Sequence, residues 1–147
     1  MDFSRHQHIQ PACLPDIRAH DYDQAVGVVA GWGLTGSGLS STVSHSLQTA
    51  GVSILSKDDC RAVFHGSVTQ HMLCIRGTGS SIGTTCPGDS GGGILYQNGT
   101  RYEVVGIVSW DIGVAGCQDS RPTVGLRVTS VLAWVKGETT DSSYCTG

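Results

Sequence analysis

The sequence predicts an all-β fold, an antiparallel barrel or sandwich, on three observations. Charged residues make up only 14% of the 147 residues and glycine is abundant at 21. An ordinary domain is about a quarter charged, so this composition suits a turn-rich β protein. Short apolar runs recur along the chain with Gly, Ser, Asn and Asp between them, the spacing of strands and turns. Two of those runs flank the four-residue turn Gln97-Asn98-Gly99-Thr100, a strong hairpin signal.

The elements follow in order. Residues 27–32 (GVVAGW) read as a buried strand and 34–42 as a Gly/Ser loop. Residues 46–55 alternate as a long strand with Val52 and Ile54 on one face. Ser56-Lys57-Asp58-Asp59 opens a short helix, with a serine N-cap and acids in the first turn. Residues 72–75 form a short strand, 76–83 a loop, 92–96 and 101–110 the hairpin, and 123–128 a last strand. A terminal helix spans 130–136, with Leu132 and Trp134 available to pack.

A net charge of −3 gives no basic face for nucleic acid. No apolar run reaches the roughly 20 residues of a membrane span, and the start (MDFSRH) lacks the apolar core of a signal peptide. Six cysteines (Cys13, Cys60, Cys74, Cys86, Cys117 and Cys145) contain no C-x-x-C pair, which argues for disulfides rather than zinc or redox chemistry. The sequon Asn98-Gly99-Thr100 makes Asn98 a candidate N-glycosylation acceptor at a hairpin tip. Both features point to an extracellular, secreted protein, and with no export signal present the natural N-terminus is expected upstream. His6-Gln7-His8 is read as exposed histidines rather than a metal pair, so no metal and no cofactor are expected.

The decisive stretch is TTCPGDSGGGILYQ, residues 84–97. An ordinary turn serine needs one or two glycines; Ser90 has Gly88, Gly91, Gly92 and Gly93 around it and Gly83 further back. Such a backbone is one that must be approached closely or whose amides must point at something. A serine hydroxyl becomes a nucleophile only with a base and an oxyanion site, and Gly88 and Ser90 can offer two neighbouring N–H groups to one point. The string also satisfies G-x-S-x-G, but that elbow needs a helix next. Each interior glycine costs a helix about 1 kcal/mol, and the apolar run Ile94-Leu95-Tyr96 reads as a strand. Gly31-Trp32-Gly33-Leu34-Thr35-Gly36 matches the dinucleotide fingerprint, yet the helix-poor Ser37-Gly38-Leu39-Ser40-Ser41 follows, so that reading fails too.

IQPACLP, VAGWG, MLC, CPGDSGGGIL, VVGIVSW, GC and RV…LAWV occur in the order and spacing of the trypsin-like (chymotrypsin-fold) serine proteases, and the chain resembles that family from about residue 9 to 135. The resemblance implies an antiparallel Greek-key barrel, the second of the fold's two, with a C-terminal helix and the N-terminal barrel absent. A partial protease domain then spans 1–137 and a tail 138–147. It implies Ser90 as nucleophile and the amides of Gly88 and Ser90 as oxyanion hole. Asp89 becomes the carboxylate that pairs with a new N-terminal ammonium on activation. Thr84, Ser109, Trp110, Asp111 and Thr123 become substrate-binding or pocket positions. It further implies the disulfides Cys60–Cys74 and Cys86–Cys117. A further family bridge is missing, since Gly27 and Tyr96 stand at its positions. Cys13 and Cys145 are left to pair with each other or with absent segments.

The resemblance also defines what is lacking. The family's catalytic His and Asp precede the ACLP segment, but only twelve residues precede Cys13. None of His6, His8, His20, His45, His65 and His71 stands in catalytic context. Thr84 replaces the basal aspartate of Lys/Arg-specific members, and Arg121-Pro122-Thr123-Val124 resembles elastases. A small or apolar P1 side chain is therefore expected, with Asp111 as the one residue that can favour a basic one. The leading reading is a serine endopeptidase, a hydrolase, represented by the part that carries nucleophile and pocket. Its partners are a protein or peptide substrate and the missing N-terminal half. This chain alone is expected to have little or no activity. The competing readings are an inactive fragment acting as a protein-binding module, and a structural disulfide domain, which leaves the glycine-rich serine loop without a purpose.

Overall fold

The computed structural model describes residues 3, 8–16, 22–36, 41–78, 85–111 and 121–145. Six strands form a closed antiparallel barrel: β1 Val26–Gly31, β2 Gln48–Ile54, β3 Met72–Gly77, β4 Gly93–Asn98, β5 Arg101–Trp110 and β6 Thr123–Arg127. Around the barrel they run β1-β2-β3-β6-β5-β4. β4 returns to lie beside β1 after the β1-β2-β3 meander, which is the Greek-key order. A short helix α1, Lys57–Val63, joins β2 to β3, and α2, Leu132–Glu138, follows β6 through one 3-10 turn, Val128–Ser130.

The interior is filled by inward-facing branched residues of every strand but β6: Val29, Val52, Ile54, Leu73, Ile75, Ile94, Val105 and Val108. Each such side chain contributes roughly 1.5–3 kcal/mol by leaving water. The alternation expected for β2 is present, with Val52 and Ile54 fully buried. A second cluster lies under α1, where Phe64, Val68, Val124 and the Cys60–Cys74 disulfide pack together with Trp110 at the margin. Ser56 caps α1 as expected, its hydroxyl accepting from the Asp59 N–H at 3.1 Å.

Three readings are corrected. β3 continues to Gly77, because Arg76 and Gly77 pair with Ser53 and Val52 of β2; the loop expected from 76 begins later, and residues 79–83 of it lie outside the described residues. The terminal helix starts at Leu132 because a 3-10 turn occupies 128–130. Leu132 packs as expected but Trp134 does not: it is 67% exposed.

Cys13 pairs with Cys145, joining the two ends of the described chain. Cys13 also forms a parallel bridge to Glu103, its N–H donating to the Tyr102 carbonyl and its carbonyl accepting from Val104. Gly27 and Tyr96, where the resemblance finds a bridge lost, are direct partners across β1 and β4. A Cβ on Gly27 would lie 2.6 Å from the Leu95 carbonyl oxygen. The Tyr96 ring instead meets Tyr22 edge-on, centroids 5.3 Å apart.

Candidate active site

The serine loop is built from two consecutive turns that open into β4. Asp89 N–H donates to the Cys86 carbonyl at 2.9 Å and Gly92 N–H to the Asp89 carbonyl at 3.0 Å. Gly88 and Gly91 hold φ of +102° and +87°, a conformation that side-chain-bearing residues rarely adopt. The loop is pinned to β5 at one residue: Gly91 N–H donates to the Val108 carbonyl, and Val108 N–H to the Gly92 carbonyl. Asp89, Gly91 and Gly92 thus have their amides engaged. Among the described residues, the amides of Gly88 and Ser90 find no protein acceptor. Two unengaged N–H groups on either side of Asp89, beside an exposed hydroxyl, make a candidate oxyanion site.

Asp89 and Ser90 point opposite ways, and the β1 end explains why. Asp89 Oδ1 accepts from Gly33 N–H and Oδ2 from Cys86 N–H, each at 2.9 Å. A Cβ on Gly33 would come within 2.6 Å of the carboxylate, and Gly31 is closer still. The GWG glycines are therefore the seat of Asp89. This is the role of the segment that matched a dinucleotide fingerprint; no helix follows it among the described residues. Leu34 N–H donates to the Pro87 carbonyl and fixes the serine loop to the same segment. Among the described residues Asp89 has no cationic partner, and the two backbone amides hold it.

Ser90 is exposed, and its hydroxyl donates to the Ser109 carbonyl at 3.2 Å. Ser109 faces the loop because β5 bulges there: Val108 pairs with Gly125 and Trp110 with Val124, leaving Ser109 without an opposite residue on β6. Bulges of this kind re-aim a strand beside a site. Trp110 meets Phe64 edge-on at 5.3 Å, which ties the end of β5 to α1. Asp111 is exposed immediately after the strand. No histidine or carboxylate bonds the Ser90 hydroxyl among the described residues, and His45, His65 and His71 are all exposed.

Thr123 is 2% exposed and shares a 2.8 Å hydrogen bond with the Thr85 hydroxyl. Thr85 was not singled out in the sequence, where its neighbour Thr84 was; no local signal marks a threonine whose partner lies 38 residues away. Thr84 and Cys117 lie outside the described residues. Cys86 is disulfide-bonded.

Three comparisons bear on this geometry. A family model described as Trypsin matches residues 2–135. Serine protease 1 of Drosophila melanogaster is 38% identical over 122 residues, covering 83% of this chain and 43% of that protein. Urokinase-type plasminogen activator of Gallus gallus is 33% identical over 132 residues, covering 87% and 29%. The solved structure of mouse brain neuropsin, described as a serine protease, superposes with a TM-score of 0.72 at 27% identity, covering 88% of this chain and 54% of that one. The chain therefore spans about half, or less, of the length of the relatives it matches. With a closed Greek-key barrel, a terminal helix and a glycine-seated serine loop, the chain belongs to the trypsin family of serine proteases.

Proposed function

We propose that this chain is the nucleophile-bearing part of a serine endopeptidase. One observation carries the reading: the exposed Ser90 hydroxyl shares a tight loop with the two unengaged amides of Gly88 and Ser90. In the reaction, Ser90 Oγ attacks the scissile carbonyl and its proton passes to a base. The two amides receive the developing oxyanion. The C–N bond breaks, the leaving amine takes up the proton, and water then hydrolyses the acyl-Ser90 ester. No described residue is placed to be that base, so the histidine and aspartate come from the remainder of the domain, which is the proposed partner. Asp89 is the candidate ligand for an N-terminal ammonium. Asn98 closes β4 rather than standing at the hairpin tip, with its Nδ2 bonded to Glu103, and is a candidate glycan acceptor on a secreted protein only if that bond is given up.

The Ser109-Trp110-Asp111 end of β5 is the candidate rail for substrate backbone. The buried Thr85–Thr123 hydroxyl pair favours a short pocket and a small or apolar P1 side chain. The second reading, a protein-binding module, draws support from Trp32, Val43 and Leu47. All three are more than half exposed, Trp32 between the two seat glycines and Val43 and Leu47 just before β2. Intact mass of the native secreted protein before and after a fluorophosphonate probe separates the two. The expected result is one probe added at Ser90 on a species larger than this chain, abolished by Ser90→Ala. A species of about this chain's mass that ignores the probe overturns the protease reading and favours the module.

A further inference from the structure

A cavity of about 500 Å³ lies where the N-terminal segment pairs alongside the β4–β5 hairpin. Pro11, Leu95, Thr100, Arg101 and Tyr102 line it together with both sulfur-bearing residues Cys13 and Cys145. We propose that this cavity admits a small anionic thiol, and that Cys13–Cys145 is the bridge such a thiol opens.

The contrast between bridges carries the argument. Cys60 and Cys74 are 3% and 0% exposed beneath α1, so an attacking thiolate has no approach. Cys13 is equally buried, but Cys145 is only half-buried and faces the cavity. Cys86 is half-buried too, yet the Asp89 carboxylate lies against its backbone, accepting from Cys86 N–H. An anionic reagent is repelled there. In the cavity it meets Arg101, whose side chain is exposed and pairs with no carboxylate among the described residues. Access and charge select the same bridge.

The exchange balances in two steps. A thiolate attacks Cys145 Sγ, the Sγ–Sγ bond breaks, and Cys13 leaves as thiolate while Cys145 carries a mixed disulfide. A second thiolate attacks the reagent's sulfur, releasing the reagent as its disulfide and Cys145 as a thiol; two thiols are oxidised for one bridge reduced. Cys13 stays in place through its backbone bonds to Tyr102 and Val104. Among the described residues the tail from Thr139 to Cys145 keeps only local bonds, such as Tyr144 Oη to the Thr139 carbonyl, and is released from the hairpin face. The bridge is thus a thiol-controlled clasp on the C-terminal tail.

The test treats the native, oxidised chain with reduced glutathione or with cationic cysteamine at equal thiolate concentration, alkylates the released thiols and maps them by mass. The expected result is Cys145 glutathionylated, or Cys13 and Cys145 alkylated, while Cys60, Cys74 and Cys86 remain bridged. Glutathione should react about threefold faster than cysteamine, the factor one partly exposed charge supplies, and Arg101→Gln should erase that preference. Earlier opening of Cys60–Cys74 or of the Cys86 bridge overturns the proposal. So does an unchanged preference in Arg101→Gln, or alkylation of Cys13 before any reductant is added.

Discussion

Tyr22 shows how one residue holds a buried charge. Glu103 is 3% exposed, and it is made tolerable by two donors: Tyr22 Oη to Oε2 at 2.6 Å and Asn98 Nδ2 to Oε1 at 2.9 Å. An unpaired carboxylate at that depth would cost several kcal/mol. Tyr22 occupies the left-handed region at φ 58°, unfavourable for a bulky residue by about 1–2 kcal/mol. Burial of its ring and the Glu103 bond offset that strain. Burial first, then the hydrogen bond to Glu103 and its negative charge, push the Tyr22 phenol well above its ordinary value, against a smaller opposing effect of an Asp16 backbone bond. The sign follows. The folded chain keeps this proton longer than the unfolded chain, so the contribution is whole below about pH 10 and fades as pH rises beyond it. Denaturant unfolding measured from about pH 8 to 11.5 should show stability falling more steeply in the native chain than in Tyr22→Phe. At neutral pH the variant should be less stable by about 1–3 kcal/mol, the cost of leaving a buried acceptor short of one donor. Equal alkaline slopes in the two proteins would show that the phenol does not carry this linkage.

At the scale of elements, what the sequence announces is local chemistry. Ser56 followed by Asp58 and Asp59 specifies the start of α1, and the capping bond is there. Ser56→Ala should lower the stability of the chain by about 1 kcal/mol, read as a shift of the urea midpoint at unchanged slope. A change in slope instead would mean that the cap organises more than its helix. The hairpin is legible, but its turn is tighter than the expected 97–100: Gln97 and Asn98 pair with Tyr102 and Arg101, and Gly99 at φ +60° provides the left-handed first position of a two-residue turn. The serine loop stood out in the sequence as a candidate site because five glycines are too many for a turn. What the glycines that build this region do was only half legible. Gly88 and Gly91 supply the torsions, a local property. Gly31 and Gly33 make room for a carboxylate that lies 56 residues beyond Gly33, and no local pattern announces that. The same holds for Thr85, for Glu103 with its distant donors, and for the β5 bulge at Ser109, each decided by tertiary packing. Trp134 was misplaced for a related reason: periodicity shows that a helix has an apolar side, but not whether anything covers it.

The whole molecule is a closed barrel whose two ends are stapled. Closure leaves no strand edge free for association, so the covalent link between the ends acts mainly on the unfolded chain. Cys13 and Cys145 are separated by 132 residues, against 14 for Cys60 and Cys74. In the chain-entropy account a loop of that length is worth about 5 kcal/mol, and the short one about 3. The long bridge is also the more accessible, so the linkage with the larger effect on stability is the one exposed to thiols. Cys13→Ser with Cys145→Ser should therefore lower unfolding stability by up to about 5 kcal/mol. The spectrum of the folded barrel should stay unchanged, because Cys13 keeps its backbone bonds to β5. A calorimetric scan of the double variant with and without reductant checks this: the native chain should approach the variant's midpoint when reduced mildly, and the variant should not respond. A native midpoint that ignores mild reduction would mean that the Cys13–Cys145 bridge is closed to thiols, and that its accessibility does not govern the stability of the barrel.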